Sequence, residues 1–321
     1  MFLETKIEAI YRSNVCVRWD DVGKVYYFTP KDFPGLVQIS HPFSGDWGQK
    51  LQGYFYYYGT PSADRVIILD HGMTCGHRMY MTEISTLAKA GYLVFSYDHT
   101  GCVESEGKDA NGMVQSLSDL VCCLNDLKTI PELKNATYAV WGHSWGGFAA
   151  MNISLYHPEV THIVSLAGYI SMEQMCVQKF RGILTPYRKL AERLEREWNP
   201  VYSELNGIES MKKTGVKALI IHSADDKTVS KKYHFDVIKK AFAGDDNVSF
   251  ILVDHRLHNP NYTDDAVAYK CYGIKLRDEK YKRGELNTPQ AIAEFHASYD
   301  WHRMTAQDEK VWEKIFEHLK K

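Results

Sequence analysis

Residues 136–151, which read ATYAVWGHSWGGFAAM, carry the clearest indication of how this chain folds. The mostly apolar run Ala136–Trp141 precedes the G-x-S-x-G pattern of Gly142–Gly146, and small residues that suit the start of a helix follow. A strand, a sharp turn and a helix in this order project the serine hydroxyl clear of the backbone, and the flanking glycines leave room around it. Ser144 is therefore the candidate nucleophile. Because the five-residue pattern also occurs by chance, other segments must support it.

The acid expected of such a site follows a later apolar run, Lys217–His222. This run is short and bounded by polar residues, which is typical of a parallel strand buried on both faces. Two aspartates, Asp225 and Asp226, come soon after it. We predict Asp226 as the acid because its place before Lys227–Val229 is the usual one in this loop. Asp225 is the alternative.

The histidine expected after the acid has two candidates on one loop. The next predicted strand, Val248–Val253, runs into a segment that contains His255 and His258. We predict His258 as the general base. His255 stays open, because loop geometry and not spacing decides which imidazole reaches Ser144.

Each of these residue types has a distinct chemical task. A serine hydroxyl is a poor nucleophile at neutral pH, so an imidazole must take its proton and later return it to the leaving group. Asp226 would hold the imidazole tautomer and stabilise the imidazolium. Backbone N–H groups aimed at the developing oxyanion contribute about 3 kcal/mol each. We predict that these are the amides of Trp145 and of Met73, which follows the predicted strand Arg65–Asp70.

Several ordered segments make the chain resemble the α/β-hydrolase superfamily. The segments that carry the likeness are His71–Met73, Asp98–Ser105, Gly142–Gly147, the Asp226 loop and His258–Pro260. The second departs from the family pattern at Cys102-Val103, where another glycine is usual. The resemblance implies a mostly parallel sheet flanked by helices, and its nearest branches are those of the carboxylesterases, monoacylglycerol lipases and acyl peptidases. Ser144 stands where related dehalogenases and epoxide hydrolases have aspartate.

The order of predicted elements supports the same architecture. Aromatic, β-prone stretches at Gly23–Phe28 and Lys50–Tyr58 predict an antiparallel entrance within residues 1–60. Beyond Arg65, short apolar strands alternate with helical segments such as Arg78–Gly91 and Asn111–Leu127, which indicates βαβ units. We expect one catalytic domain that comprises residues 1–168 and 214–321, including a helical C-terminal extension at 259–321.

A long connection after the sixth predicted strand, Thr161–Ala167, predicts a helical lid at residues 169–213. Within it, Pro186–Trp198 suits an amphipathic helix, with Leu190, Leu194 and Trp198 spaced four apart. The alternative is an ordinary packed surface helix. Four side chains are candidates for the substrate pocket, although such residues are often simply core: Tyr169, Met172, Met175 and Phe180.

Composition limits the other functions. The 321 residues are 45% hydrophobic and 24% charged, and a formal net charge of −2 gives no indication of nucleic-acid binding. No apolar run predicts a signal peptide, a membrane span or stable membrane insertion. Seven cysteines, an odd number, favour a reduced cytoplasmic protein. No phosphate loop or metal-ligand spacing is present, so we expect neither cofactor nor metal.

The sequence thus predicts a serine hydrolase that cleaves small-molecule carboxylic esters of small or medium acyl groups through an acyl-enzyme. The alternative is an amidase or short-peptide hydrolase, which would bind an amino terminus through carboxylates such as Glu192, Glu195 or Glu197. A third possibility is an inactive binding protein on the same fold. The oligomeric state is left open.

Overall fold

The computed structural model describes residues 2–20 and 28–321. Within them, eight strands form the central sheet: β1 (Val37–Ser40), β2 (Gly53–Tyr57), β3 (Ser62–Asp70), β4 (Tyr92–Tyr97), β5 (Thr137–His143), β6 (Val160–Leu166), β7 (Lys217–Ser223) and β8 (Val248–Val253). Their order across the sheet is β1-β2-β4-β3-β5-β6-β7-β8. β2 is antiparallel to β1 and β4, and the other pairs are parallel. Two-residue strands at Phe43–Ser44 and Lys50–Leu51 pair separately.

Helices cover both faces of the sheet. In the described residues they are α1 (Phe2–Val15), α2 (Met81–Lys89), α3 (Gln115–Leu127), α4 (Trp145–Asn152), α5 (Met172–Lys179), α6 (Arg188–Trp198), α7 (Gly207–Thr214), α8 (Phe235–Ala241), α9 (Asp264–Lys282), α10 (Pro289–Ala297), α11 (Trp301–Met304) and α12 (Glu309–Leu319). Short 3₁₀ helices lie at Pro30–Asp32, His77–Tyr80, Pro131–Leu133, Ile153–Leu155 and Gly182–Tyr187. None of the described helices is both long and apolar enough to cross a membrane.

The core has two layers because successive side chains of a strand point to opposite faces. In β3, Val66 and Ile68 belong to the apolar cluster on one face, and Ile67 and Leu69 belong to the cluster on the other. All four are fully buried, which stabilises the fold by about 2 kcal/mol for each side chain. Burial on both faces explains why the strand reads as a continuous apolar run.

The ends of the chain differ in part from what the sequence predicts. Residues 2–15 form helix α1, which the sequence analysis does not predict. The predicted strand at Lys50–Tyr58 is divided into Lys50–Leu51 and β2, and the one at Gly23–Phe28 lies outside the described residues except for Phe28. At the other end, the predicted helical extension at residues 259–321 contains α9, α10, α11 and α12.

The segment predicted as a lid, residues 169–213, folds into α5, α6 and α7. The apolar stripe of α6 faces inward, with Leu194 buried and Trp198 stacked on Tyr11 of α1 at 6.1 Å between ring centroids. The carboxylate of Glu195 is also buried and accepts hydrogen bonds from the Tyr11 hydroxyl, at 2.7 Å, and from the backbone N–H of Met113. Helix α6 is therefore fixed against α1 and the loop before α3.

Candidate active site

Ser144 stands on a strained turn between β5 and α4. Its φ of 55° and ψ of −104° are values that L-residues rarely adopt, and its backbone N–H donates to the carbonyl of Leu166 at 2.8 Å. A side chain at Gly142 would be impossible without rearrangement, because its Cβ would lie 2.1 Å from the carbonyl oxygen of Gly146. Ser144 is half-buried, whereas the residues on either side of it are buried. The turn thus leaves the Ser144 side chain partly accessible, whereas its two neighbours are buried.

Asp226 and His258 meet at the carboxyl ends of β7 and β8. Nδ1 of His258 donates to Oδ2 of Asp226 at 2.7 Å. The other carboxylate oxygen accepts the backbone N–H groups of Thr228, at 2.8 Å, and Val229, at 3.1 Å. An ionised carboxylate can only accept, so the proton of His258 lies on Nδ1 and Nε2 is free to act as an acceptor. That is the tautomer required of a general base.

The alternative acid has a different role. The carboxylate of Asp225 accepts the Ser223 hydroxyl at 2.6 Å and the backbone N–H of Leu257 at 3.0 Å. Burial raises the pKa of Asp225, but these hydrogen bonds outweigh burial, so that its pKa lies below the usual value. Asp225 therefore holds the loop that carries His258. The alternative base, His255, is exposed on the same loop.

Two backbone amides have the properties expected of an oxyanion hole. Trp145 is the first residue of α4, where helical N–H groups have no acceptor within the helix. Met73 lies in the loop after β3. In the described part of the chain, neither amide donates to a protein acceptor. The Trp145 indole is fixed by a hydrogen bond to the Met113 carbonyl at 2.7 Å.

A series of hydrogen bonds joins the loop after β3 to the loop that carries His258. The sequence analysis does not predict it. The N–H of Gly72 donates to the Tyr80 hydroxyl at 3.0 Å, and this hydroxyl bonds Nδ1 of His143 at 2.8 Å. Nε2 of His143 then bonds the carbonyl of His258 at 2.7 Å. Burial, and then the neighbouring His258, hold the pKa of His143 well below its ordinary value, so His143 is neutral. No local spacing indicates this role for Tyr80, 63 residues earlier in the chain.

A second unpredicted feature is a buried charge cluster beneath the Met73 loop. The ring nitrogens of His99 lie 2.6 Å from Asp70 and 3.2 Å from Asp119. Burial lowers the pKa of His99, but the two carboxylates outweigh it and raise the pKa to about 9. The backbone N–H of His99 donates to Nε2 of His71 at 3.0 Å, and Nδ1 of His71 bonds the Gly72 carbonyl at 2.7 Å. His71 therefore supports the loop as a neutral structural residue.

A cavity of about 810 Å³ opens beside His258. The residues that line it lie within the ranges 17–20, 73–80, 257–262 and 267–277, together with His143, Lys227 and Thr228. Met73 and His258 line it, whereas Ser144 is not among the described lining residues. Helix α9 supplies one wall through positions three or four apart, which place these side chains on one helical face.

Comparison with known proteins bears on the fold. Residues 61–208 match the family described as serine aminopeptidase, S33. Among solved structures, an esterase of Pyrococcus furiosus has a TM-score of 0.58 and 22% identity, covering 81% of this chain and 96% of that one. Est1E of Butyrivibrio proteoclasticus, with ferulic acid bound, has a TM-score of 0.55 and 16% identity over 74% of this chain and 98% of that one. The α/β hydrolase GrgF of Penicillium sp. sh18 has a TM-score of 0.52 and 13% identity, covering 78% of this chain and all of that one.

The chain has the α/β-hydrolase fold. At such identities the solved structures establish the fold of this chain and neither its activity nor its substrate. The family match includes the Ser144 turn but ends before the loops of Asp226 and His258.

The predicted pocket residues are not among the described residues that line the cavity. Tyr169 stacks on Phe148 at 4.9 Å between ring centroids, and its hydroxyl donates to the Met113 carbonyl. Met172 and Met175 are buried in the core, while Phe180 packs beside Tyr11. No described residue of 169–213 lines the cavity, so the lid and its pocket stay predictions. Among the described residues, no group of His, Cys, Asp and Glu could hold a metal ion.

Proposed function

We propose that this α/β hydrolase cleaves carboxylic esters of small or medium acyl groups through an acyl-enzyme formed on Ser144. The observation that carries the proposal is the 2.7 Å hydrogen bond from His258 to Asp226, which leaves Nε2 of His258 free to accept a proton. The strained turn at Ser144 supports it, because such strain is typical of a functional position.

In the proposed reaction, the Oγ of Ser144 attacks the acyl carbon while His258 takes its proton. The N–H groups of Met73 and Trp145 stabilise the oxyanion, and Asp226 stabilises the imidazolium. The imidazolium then protonates the departing alcohol. Water, deprotonated by the same histidine, attacks the acyl-enzyme. The bond between the acyl carbon and Oγ then breaks, the imidazolium returns its proton to Ser144, and the acid is released.

The contacts of three glutamates favour esters over peptides with a free amino terminus. Glu195 accepts hydrogen bonds from Tyr11 and Met113. Glu192 forms an ion pair with Arg188, and Glu197 forms one with Arg193. None of the three lies in the described lining of the cavity. An amino terminus would therefore find no partner among the carboxylates predicted to bind it. Est1E, a protein of the same fold, holds ferulic acid, a carboxylic acid of the kind that ester hydrolysis releases.

The proposal is tested with p-nitrophenyl esters from acetate to dodecanoate and with a fluorophosphonate label. We expect Ser144→Ala to abolish labelling and to lower kcat at least ~10³-fold, and His258→Ala to have a comparable effect on kcat. His255→Ala is the matched control, since this exposed histidine lies on the same loop, and it should stay within about twofold of the wild type. Undiminished hydrolysis by a correctly folded Ser144→Ala variant would overturn the proposal. Faster turnover of aminoacyl anilides than of all the esters would favour the amidase alternative.

A further inference from the structure

The cavity beside His258 has an unbalanced charge. Among the described residues, four cationic side chains and one carboxylate line it: Arg18, Lys227, Lys270, Arg277 and Asp20. Arg18 pairs with Asp20 at 2.7 Å, and Arg277 pairs with Asp278 at 2.9 Å. In the described residues, neither Lys227 nor Lys270 has a carboxylate within ion-pair distance. In the part of the chain that the structure describes, two positive charges therefore face the cavity without a counterion.

Lys270 is the better placed of the two. It projects from α9, is half-buried, and its Nζ donates to Oδ1 of Asn259 at 2.8 Å. Its ammonium also lies 5.5 Å from the centre of the Tyr262 ring. Asn259 follows His258 in sequence, so the contact links the ammonium to the loop of the proposed base. Because an ammonium has three N–H donors and one is used by Asn259, two remain for a ligand.

The nearby acid Glu83 forms no ion pair with Lys270 among the described residues. Glu83 is fully buried and bonded to Asn261 at 3.0 Å, and burial raises the pKa of its carboxyl to about 7. Burial also lowers the pKa of Lys270, which means that its charged form lacks the solvation it would have in water. A buried charge is costly unless it is paired, and an anion entering the cavity would supply the missing partner.

Provided that Ser144 and His258 act as proposed above, we infer that the substrate is an ester bearing a separate anionic group, a carboxylate or a phosphate-type oxyanion, that binds Lys270. Lys227, which is exposed and adjacent to Asp226, adds attraction at the cavity. The volume of about 810 Å³ is within the range of small-molecule sites. A cationic substrate, including a peptide amino terminus, is repelled by the same two charges.

The kinetic test compares mono-4-nitrophenyl glutarate with 4-nitrophenyl pentanoate. These esters have acyl chains of equal length that end in a carboxylate or a methyl group. Wild type should favour the anionic ester, and Lys270→Met should lower the ratio of the two kcat/KM values by roughly 10- to 100-fold, as for other hydrogen bonds between charged groups. Lys270→Arg should keep most of the preference. Lys275→Met, an exposed position on α9 outside the cavity lining, should leave the ratio unchanged.

A binding test separates this inference from the proposed reaction, because it needs no turnover. Calorimetry measures the affinities of benzoate, phenylphosphonate and neutral benzamide for the wild type and for Lys270→Met. Tighter binding of benzoate or of phenylphosphonate that is lost in Lys270→Met supports the site and distinguishes a carboxylate from a phosphate-type ligand. If this loss is seen without a preference for the glutarate ester, the anion belongs to the alcohol part of the substrate.

The inference is overturned if neither anion binds more tightly than benzamide, or if Lys270→Met leaves all three affinities unchanged. Absence of both fluorophosphonate labelling and ester hydrolysis would instead overturn the proposed reaction. The calorimetric result still decides whether Lys270 binds anions in that case.

Discussion

Replacing Asp226 with asparagine tests the acid–base assignment with almost no change in shape. The asparagine oxygen can still accept the N–H groups of Thr228 and Val229, which now bond Oδ1 of Asp226. The oxygen that accepts the proton of His258 becomes an NH₂ group, which is a donor. His258 would then have to carry its proton on Nε2 to satisfy this donor, and Nε2 could no longer accept the proton of Ser144.

We expect Asp226→Asn to lower kcat about 10⁴-fold, the size of effect produced by the wrong histidine tautomer in a serine triad. This corresponds to about 5 kcal/mol of transition-state stabilisation. Stability should change much less, by about 2 kcal/mol, because the three hydrogen bonds are kept and only the charge of the carboxylate is lost. Activity and stability therefore respond very differently to the same substitution.

The assay measures kcat on the best p-nitrophenyl ester together with urea unfolding of the same preparations. Asp225→Asn is the matched control, since Asp225 bonds Ser223 and Leu257 and contacts the histidine loop only through the backbone. It should lose less than about tenfold in kcat, because an asparagine oxygen can replace the accepting carboxylate oxygen. Retention of more than a tenth of wild-type kcat by Asp226→Asn, or an equal loss in Asp225→Asn, would refute the tautomer argument.

Three further predictions concern stability. Gly142→Ala should destabilise the protein by about 2–3 kcal/mol in urea and prevent fluorophosphonate labelling, because its Cβ would meet backbone atoms of Gly146; stability equal to wild type would contradict this. Burial raises the pKa of Glu195 from 4.5 to about 7, so the folded state binds the proton more tightly and stability falls as pH rises through this interval. The free energy of unfolding decreases between pH 4.5 and 7, and Glu195→Gln should reduce this decrease by up to about 3 kcal/mol. The pKa of His99 is raised from 6.5 to about 9, so its stabilisation is complete below pH 6.5 and is lost as pH rises through 9. His99→Gln should flatten the decline between pH 7 and 9.5, and an unchanged slope would contradict the charge assignment.

The sequence predicts those features that depend on neighbouring residues. The strand, turn and helix around Ser144 follow from an apolar run, two glycines and small residues, and the structure has β5 and α4 there. The strands before Asp226 and His258 are likewise short apolar runs, because parallel strands are buried on both faces. Parallel strands also bring their carboxyl ends to one edge of the sheet, so residues distant in sequence could be expected to meet.

Contacts between side chains from distant segments could not be predicted in this way. Tyr80 and His143 bond each other across 63 positions, and His99 lies between aspartates that are 49 residues apart in sequence. No periodicity encodes such pairs, since they depend on how loops leave the sheet. The choice between Asp225 and Asp226 is of the same kind: adjacent residues of one type differ only in the groups that each carboxylate reaches.

The residues that carry the proposed reaction and those that would select the substrate come from different segments of the chain. Residues 17–20 and helix α9 form much of its wall, and both lie outside residues 61–208, which match the family. Ser144, Trp145 and Met73 lie inside that region. A change in α9 can therefore alter the charge of the cavity without disturbing the Ser144 turn, because the turn is fixed by β5, β6 and α4. Lys270 shows the consequence: the residue that we expect to determine the charge of the substrate comes from a helix that the nucleophile pattern does not predict.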